Sequence, residues 1–337
     1  MTPGKPETPD GPAADAQALA SGLEAAVDEL RRAARILITT HINPDGDAIG
    51  SSLGLMHLLR AAGKDVVVAS HDGYGGRYGF LPGAEEIVRF PAGTFDLGVA
   101  VDCGNVDRVG SVKDSLLASG KVMRIDHHAV GDPFGDVEYL DTSAAAVGEM
   151  IAALAPGLEV RISREAGQCL LASIVEDTRC FQFESVSPRT LRICAELVDA
   201  GADLHDVIQN LFWRNSAGAV RMVGRCLEDF RLEFGGKLAW AMASLEDFRR
   251  YQAIAEDMDD VAHELLSIEG VEVALLLREA EADHRVSLRS RNFVDVAGIA
   301  REFGGGGHLR AAGCRISKSP EALRSLLDSI GSRLNNS

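Results

Sequence analysis

The sequence predicts an α/β fold with an N-terminal parallel-sheet domain followed by a smaller C-terminal α/β domain. Short apolar runs alternate with amphipathic helical segments in the first half of the chain, which is typical of βαβ units. A second set of apolar runs begins at Phe230. The 337 residues suffice for two domains with a hydrophobic core in each.

The N-terminal domain is expected to span residues 16–200. Apolar residues recur at helical spacing from Ala16 to about Arg35, whereas residues 1–15 are rich in Pro, Gly and Asp and predict a disordered tail. Apolar, β-prone runs predict strands at 36–39, 66–68, 95–101 and 122–125. Helical patterns predict helices at 47–59, 143–154, 163–177 and 188–200.

The C-terminal domain is expected to span residues 217–337, behind a linker at 201–216 that contains a helical pattern. Helices are predicted at 203–213, 216–229 and 320–333, and strands at 237–243, 271–277 and 285–289. A loop is predicted at 303–313, where four glycines precede His308.

Composition excludes several classes of protein. The net charge of −16 argues against a protein that coats long nucleic acid through a broad basic face. The six cysteines form no C-x-x-C pattern and lie mostly in apolar runs, which indicates reduced thiols in a cytoplasm. Neither a membrane span nor a signal-peptide core is visible, so we expect a cytoplasmic protein.

Acidic and imidazole side chains gather where predicted strands and helices end. Because parallel strands end at one edge of a sheet, such residues are expected to meet there. The set comprises His41, Asp45, Asp47, Asp102, Asp126, His127, His128 and Asp177. Two simpler interpretations stay open: Asp47 could be an ordinary helix N-cap, and paired histidines also occur on surfaces and in cores.

This combination of residue types favours a divalent metal site. Carboxylates with one or two imidazoles suit Mn²⁺ or a similar ion, and the absence of thiolates argues against a structural zinc. Eight such groups exceed the need of one ion and fit two ions that share a bridging carboxylate. A pair of ions can activate a hydroxide nucleophile and stabilise an in-line phosphoryl displacement.

A phosphate substrate would also require positive charge from outside the metal shell, because four ligating carboxylates already neutralise two divalent ions. The candidates are Arg108, Arg289, Arg291, His308 and Arg310. Each arginine alone could equally be a solvated surface charge. The glycines before His308 would let backbone N–H groups approach an anion, although a flexible linker would contain glycines too.

Taken together, these motifs resemble the DHH phosphoesterase superfamily. The similarity covers the chain from about residue 20 and includes His41-x-Asn43-Pro44-Asp45-x-Asp47, Asp102, Asp126-His127-His128 and Asp177-Thr178. The run Gly304-Gly305-Gly306-Gly307-His308-x-x-Ala311-Ala312-Gly313 resembles the DHH-associated C-terminal domain. The length is similar to that of the branch of bifunctional oligoribonucleases and 3′-phosphoadenosine-5′-phosphate phosphatases.

The resemblance implies a role for each motif residue in the N-terminal domain. It implies that one ion is bound by His41, Asp45 and Asp102. It implies that the other is bound by Asp47, Asp102, His127 and Asp177. Asp126 would orient an imidazole, His128 would contact the scissile phosphate or donate a proton, and Arg108 would reach the same phosphate.

The C-terminal domain is implied to bind the substrate's terminal phosphate or nucleotide, with the active site in the cleft between the domains. The residues implied are Arg289, Gly305, Gly306, Gly307 and His308. Glu176, Arg179 and Cys180 depart from the family pattern around Asp177, which leaves substrate preference open.

The function expected from this resemblance is a two-metal hydrolase that cleaves phosphodiesters and phosphomonoesters, with two Mn²⁺ as cofactors and Mg²⁺ or Co²⁺ as alternatives. Its substrates would be short oligoribonucleotides (nanoRNA), cut as by an exonuclease to 5′-mononucleotides, or 3′-phosphoadenosine-5′-phosphate, cut to AMP. The alternatives are a cyclic di-AMP or pApA phosphodiesterase and a catalytically silent nucleotide-binding sensor. The resemblance further suggests a homodimer. From net charge and the lack of a long apolar run, we expect no binding of long nucleic acid or of a membrane.

Overall fold

The computed structural model describes residues 12–128, 131–254 and 258–335. The chain forms two compact units, one ending at Arg214 and the other beginning at Asn215. Each unit contains its own sheet, so the predicted α/β class is confirmed. Most of the predicted tail, residues 1–11, lies outside the described residues.

The first unit is built on a five-stranded parallel sheet in the order β2-β1-β3-β4-β5. Its strands are β1 (Arg35–Thr39), β2 (Asp65–Ala69), β3 (Leu97–Val101), β4 (Lys121–Asp126) and β5 (Val137–Leu140). Its helices are α1 (Pro12–Arg32), α2 (Gly46–Ala61), α3 (Lys113–Leu117), α4 (Val147–Gly157), α5 (Arg164–Asp177), α6 (Pro188–Asp199) and α7 (Leu204–Phe212).

Two further details of the first unit, besides the unpredicted helix α3, differ from the prediction. Helix α1 begins at Pro12 and not at Ala16. Strand β5 was not predicted, because the sequence Val-Glu-Tyr-Leu has only four residues and one of them is charged. The strand pairs with β4 at the edge of the sheet, where fewer buried residues are needed.

The order of strands in this sheet determines where a ligand site can form. Strand β1 lies between β2 and β3, so the chain leaves it in one direction and returns on its other side. This arrangement opens a crevice beyond the carboxyl ends of β1 and β3, the usual ligand position in open α/β sheets. Every residue of β3 is buried, which explains its unbroken apolar sequence Leu-Gly-Val-Ala-Val.

The second unit has a six-stranded sheet in the order β10-β11-β9-β8-β7-β6, in which only β7 and β8 pair in parallel. Its strands are β6 (Arg231–Glu233), β7 (Leu238–Ala243), β8 (Val273–Glu279), β9 (Asp283–Ser290), β10 (Gly306–His308) and β11 (Ala311–Ser317). Its helices are α8 (Ala217–Glu228), α9 (Leu245–Tyr251), α10 (Asp259–Ser267), α11 (Val296–Glu302) and α12 (Pro320–Asn335).

The predicted loop at 303–313 is wrong in part. Gly306 to His308 form strand β10, which pairs with β11 in a hairpin. Three residues containing two glycines carry no side-chain periodicity from which a strand could be predicted. Helices α3, α9, α10 and α11 were also not predicted, because none of them exceeds nine residues and so short a segment gives little helical periodicity.

All six cysteines are free thiols, and five of them are buried, as expected from their apolar surroundings. Among the described helices, none combines the length and apolar character needed to cross a membrane.

Glu272 is a buried carboxylate that fixes a turn in the second unit. Its Oε1 accepts hydrogen bonds from the backbone N–H of Asn292, Phe293 and Val294 at 3.0, 2.7 and 3.1 Å. Its Oε2 accepts the Asn292 side-chain amide at 3.2 Å. The carboxylate therefore takes the place of water as hydrogen-bond acceptor for the backbone N–H groups of the turn that leads into α11.

Substituting Glu272→Gln is expected to destabilise the protein by about 2–3 kcal/mol, because one acceptor oxygen is replaced by a donor facing N–H groups. Urea unfolding followed by fluorescence of the buried Trp240 would measure the change. Glu281→Gln is the matched control, since the Glu281 side chain is 89% exposed. Equal unfolding midpoints for the two variants would contradict a structural role for Glu272.

Candidate metal centre

The predicted motif residues of the first unit meet at the carboxyl edge of its sheet. His41 follows β1, Asp102 follows β3, and Asp126 is the last residue of β4. Asp177 is the last residue of α5. Candidate ligand atoms lie within 4.8 Å of one another in three overlapping groups: His41, Asp45 and Asp102; Asp47, His127 and Asp177; and Asp102, His127 and His128.

Asp102 connects these groups through its two carboxylate oxygens. Its Oδ2 lies 3.4 Å from His41 Nε2, whereas its Oδ1 lies 3.9 Å from His127 Nε2 and 3.4 Å from His128 Nδ1. The residue is buried and has a left-handed backbone with a φ of 52°. Such a conformation is strained for a residue other than glycine, and strain of this kind is concentrated at functional sites. Asp102 has the geometry of a bridging ligand.

The group around Asp47 and Asp177 is held by a neighbouring helix. Asp47 Oδ2 accepts the Val147 N–H at 2.8 Å and its Oδ1 accepts the Gly148 N–H at 3.2 Å, both at the start of α4. Ser173 donates its hydroxyl to Asp47 at 2.5 Å. Helix N-termini favour negative charge, so α4 positions the Asp47 carboxylate.

Hydrogen bonds fix the tautomers of His127 and His41. His127 Nδ1 lies 3.1 Å from the Ala144 carbonyl and His41 Nδ1 lies 2.8 Å from the Ile42 carbonyl. Since a carbonyl only accepts, each Nδ1 must carry the proton. The Nε2 atom of each ring then faces carboxylates, an arrangement typical of metal-binding histidines.

Arg108 lies beside His41, with its Nη2 3.3 Å from His41 Nδ1. A guanidinium can only donate, and His41 Nδ1 already donates to Ile42 over the shorter distance. The contact with Arg108 is therefore proximity and not a hydrogen bond. It nevertheless places a positive charge at the rim of the ligand groups.

Burial and mutual repulsion raise the pKa values of the central carboxyls. Burial raises the pKa of Asp177 to about 8, and the charge of Asp47 adds to the effect. Burial likewise raises the pKa of Asp102 well above its usual value, as do the charges of Asp47 and Asp45. Burial alone would lower the pKa of His127, but Asp177, Asp47 and Asp102 outweigh it and raise the pKa to about 10.

These donors fit divalent cations. Several buried carboxylates lie close to one another and to imidazole nitrogens. Bound cations would offset the repulsion between the carboxylates. The donors are oxygen and imidazole nitrogen without thiolate, which favours Mn²⁺-like ions over a structural zinc. The site is thus chemically suited to the metal that the sequence predicted.

Asp126 positions His128. Its Oδ1 lies 2.6 Å from His128 Nδ1 and also accepts the His128 backbone N–H at 3.2 Å. Burial alone would lower the pKa of His128, but the hydrogen bond to Asp126 and the charges of Asp102 and Asp126 raise it. His128 therefore retains its proton more readily than an ordinary histidine.

The N-terminus of α2 shows that Asp47 is not the N-cap of this helix. The N-cap is Asp45, whose Oδ1 accepts the Ala48 N–H at 3.0 Å, and Asp47 lies in the first helical turn. A Cβ atom on Gly46 would lie 1.4 Å from Glu176 Oε2, so a larger residue there would require the Glu176 side chain to move. Glu176 accepts a hydrogen bond from Tyr78 at 2.8 Å, and burial raises its pKa to about 8.

Sequence analysis missed the groups that orient the predicted ligands. The Ala144 carbonyl, the N-terminus of α4 and the Ser173 hydroxyl each hold a predicted ligand in place. A backbone carbonyl has no residue signature, and Ser173 sits inside an ordinary apolar helix.

The remaining predicted residues belong to the second unit. Arg289 lies on β9, where its Nη1 lies 3.1 Å from the Leu288 carbonyl. Gly305 precedes β10, and Gly306 and Gly307 lie on it. The His308 side chain lies outside the described residues. Two other candidate cations are engaged structurally: Arg291 donates to the Ile268 carbonyl at 3.1 Å and Arg310 to the Val294 carbonyl at 3.1 Å.

Comparison with known proteins gives a consistent result. Residues 35–174 match the model of the DHH family, N-terminal domain, and residues 250–336 match the DHHA1 domain. The chain is 36% identical to the bifunctional oligoribonuclease and PAP phosphatase NrnA of Thermus thermophilus over 286 residues, which covers 83% of this chain and 84% of the relative. It belongs to the DHH phosphoesterase family.

Other DHH phosphoesterases are similar over most of their length. The protein of the same name from Bacillus subtilis is 29% identical, with 87% of this chain and 93% of the relative covered. The crystal structure of an exopolyphosphatase-related protein from Bacteroides fragilis superposes with a TM-score of 0.86 at 26% identity, covering 93% of this chain and 96% of that one. The chain is therefore a hydrolase of phosphoester bonds, in a family that depends on divalent metals.

The pKa of Asp177 leads to a prediction for the metal-free protein. The pKa of Asp177 is about 8 in the folded protein and about 4 in the unfolded chain. The stability that its protonated form contributes is therefore fully present below about pH 4 and is lost as the pH rises through about 8. In the presence of a chelator, the melting temperature of the wild type should therefore fall between roughly pH 5 and pH 8, and that of Asp177→Asn should fall less. Added Mn²⁺ should stabilise the wild type at about pH 8 and the variant much less.

The control for this experiment is Asp107→Asn, since the Asp107 side chain is 78% exposed. Thermal unfolding followed by circular dichroism is the measurement. Identical pH profiles for wild type and Asp177→Asn would show that Asp177 does not carry the effect.

Proposed function

We propose that the chain is a two-metal phosphoesterase that hydrolyses short oligoribonucleotides to 5′-mononucleotides and 3′-phosphoadenosine-5′-phosphate to AMP. The observation that carries the proposal is the carboxylate of Asp102, whose two oxygens face two separate sets of imidazoles. A shared carboxylate between two ions is the arrangement that in-line phosphoryl displacement uses. The names of the relatives from Thermus thermophilus and Bacillus subtilis support the choice of substrates.

Each proposed ligand belongs to one of the observed groups. The first cation is assigned to His41, Asp45 and Asp102. The second cation is assigned to Asp47, Asp102, His127 and Asp177. When bound, two Mn²⁺, Mg²⁺ or Co²⁺ ions would activate the attacking water and stabilise charge on the phosphoryl oxygens. Mn²⁺ is the proposed ion because the donors are a mixture of carboxylate and imidazole.

His128 is proposed to protonate the leaving oxygen. Its Nδ1 is engaged by Asp126, so Nε2 is the nitrogen that would give up a proton. The raised pKa favours the protonated form of His128, and the hydrogen bond to Asp126 orients the ring. Arg108, at the rim, is proposed to hold the scissile phosphate while this transfer occurs.

The second unit is proposed to select the substrate. Arg289 and the glycine-rich segment with His308 would bind a terminal phosphate or nucleotide. Because glycine has no side chain, an anion can approach its backbone N–H group closely. The net charge of −16 agrees with short substrates, because a long polyanion would be repelled by most of the surface.

A substrate panel tests the proposal. With Mn²⁺ present, 5′-labelled RNA of two to ten nucleotides should be shortened to 5′-mononucleotides, and 3′-phosphoadenosine-5′-phosphate should yield AMP. Cyclic di-AMP and pApA in the same panel compare the alternative substrates directly. Degradation of long single-stranded DNA as fast as a dinucleotide would refute the preference for short substrates.

Asp102→Ala should lower kcat/KM in this assay at least about a hundredfold, because a bridging ligand supports both cations and several kcal/mol of transition-state stabilisation. Asp107→Ala is the control at an exposed site. Circular dichroism must show an intact fold. A loss below about tenfold, or about 1.4 kcal/mol, would rule out a bridging role for Asp102.

Arg289→Ala should raise KM about tenfold or more while kcat changes less, since the proposed contact is a charge-assisted hydrogen bond made in the ground state. Steady-state kinetics on a dinucleotide provides the measurement. Arg249→Ala is the control, because that side chain is 75% exposed and lies in the same unit. An unchanged KM would remove Arg289 from the substrate site.

A further inference from the structure

Three arginines stand side by side across adjacent strands of the second unit. In the strand register, Arg278 of β8 is paired with Arg285 of β9, and Arg285 is paired with Arg315 of β11. Directly paired residues point their side chains to the same face of a sheet. These three residues, here called the arginine row, were not among the candidates found from the sequence.

The arginine row lies on the face opposite the main core of the unit. The neighbouring residues Leu277, Val286 and Cys314 are buried in that core. Since side chains alternate along a strand, the arginines point the other way. They line a cavity of about 380 Å³, together with Phe303, Gly304 and Gly305.

Two members of the row have partners within the chain. Arg315 Nη1 lies 3.3 Å from Asp283 Oδ2, and the contacts of Arg278 include a hydrogen bond from its Nη2 to the Ser287 hydroxyl at 2.8 Å. The side chain of Arg285, between them, makes no hydrogen bond or ion pair within the part of the chain that the structure describes. Like charges directly opposite one another destabilise a sheet, so the row is a place where an anion would add stability.

Backbone geometry shapes the wall of this cavity. A Cβ atom on Gly305 would lie 2.1 Å from the Gly313 carbonyl oxygen and 2.5 Å from Cys314 Cβ. Only glycine allows the chain to lie this close to β11. Gly304, with a φ of 71°, has open space where a side chain would be. An anion could therefore approach the row without a steric obstacle from these two residues.

We propose that the arginine row binds a phosphate group, and that this phosphate belongs to the oligonucleotide substrate. Guanidinium groups bind phosphate through paired N–H donors, and single strands follow positively charged grooves. Arg285 and Arg289 lie on one face of β9, four residues and about 13 Å apart. The row thus lies along β9 from the site proposed at Arg289, and Gly305 belongs to both.

This inference rests on the proposed function and makes it more specific. A 5′-phosphorylated dinucleotide has two phosphates, which are the scissile group and the terminal group assigned to Arg289. Longer chains carry further phosphates, and the row would bind one of them. The row would therefore favour oligonucleotides of three or more residues over dinucleotides.

The first experiment tests anion binding without catalysis. Melting temperatures of the full chain and of Arg285→Gln would be measured in chloride and in inorganic pyrophosphate at equal ionic strength. Pyrophosphate should stabilise the wild type more than the variant, and in chloride the variant should be at least as stable as the wild type. Arg249→Gln is the control, with the same charge change at a solvated site.

The second experiment identifies the source of the phosphate. On a pentanucleotide, Arg285→Gln should lower kcat/KM about tenfold, which corresponds to about 1.4 kcal/mol. On a 5′-phosphorylated dinucleotide, the same variant should match the wild type. Arg289→Ala, by comparison, should impair both substrates.

The outcomes separate this inference from the function on which it rests. Equal stabilisation of wild type and Arg285→Gln by pyrophosphate would overturn the subsite. If Arg285→Gln no longer responded to pyrophosphate but hydrolysed the pentanucleotide and the dinucleotide in the same ratio as the wild type, the substrate assignment would be overturned. The row would then bind a free phosphate-bearing ligand. If the wild type cleaved no oligonucleotide at all, the proposed function would fail, whereas the pyrophosphate experiment would still report on the row.

Discussion

The burial of several carboxylates at one edge of the first sheet is the constraint on which this structure depends. Burial raises the pKa values of Asp47, Asp102 and Asp177, and the charge of Asp47 raises those of Asp102 and Asp177 further. Such an arrangement would be eliminated from a protein selected for stability alone. It persists where cations compensate the repulsion, and the surrounding helices and carbonyls keep each donor oriented for them.

The positions of the donors could be predicted because they follow from the direction of the strands. His41, Asp102 and Asp126 come directly after or at the end of buried apolar runs, and parallel strands bring those ends together. The resemblance to the DHH family implied that Asp102 would be shared between two ions. The left-handed backbone that turns its two oxygens toward different histidines has no signature in the sequence.

The second unit was harder to predict, since its sheet is mixed and its strand order differs from the chain order. Arg278, Arg285 and Arg315 are distant in sequence from one another or separated by a turn, and only the register of three strands makes them neighbours. The glycine-rich segment was correctly singled out, but its partial strand character was not, because glycine gives no alternation of polar and apolar side chains. Local composition thus indicated where chemistry could occur and not how it was arranged.

Asp45 has two partners for a single oxygen. The same Oδ1 that accepts the Ala48 amide at the start of α2 lies 3.9 Å from His41 Nε2. A carboxylate oxygen has two lone pairs, so the cap and a cation can share it. Under the proposed assignment of Asp45 to the first cation, the first turn of α2 and cation binding would be linked, and by reciprocity each would strengthen the other. A perturbation that frays this helix end would weaken ion binding without touching any ligand.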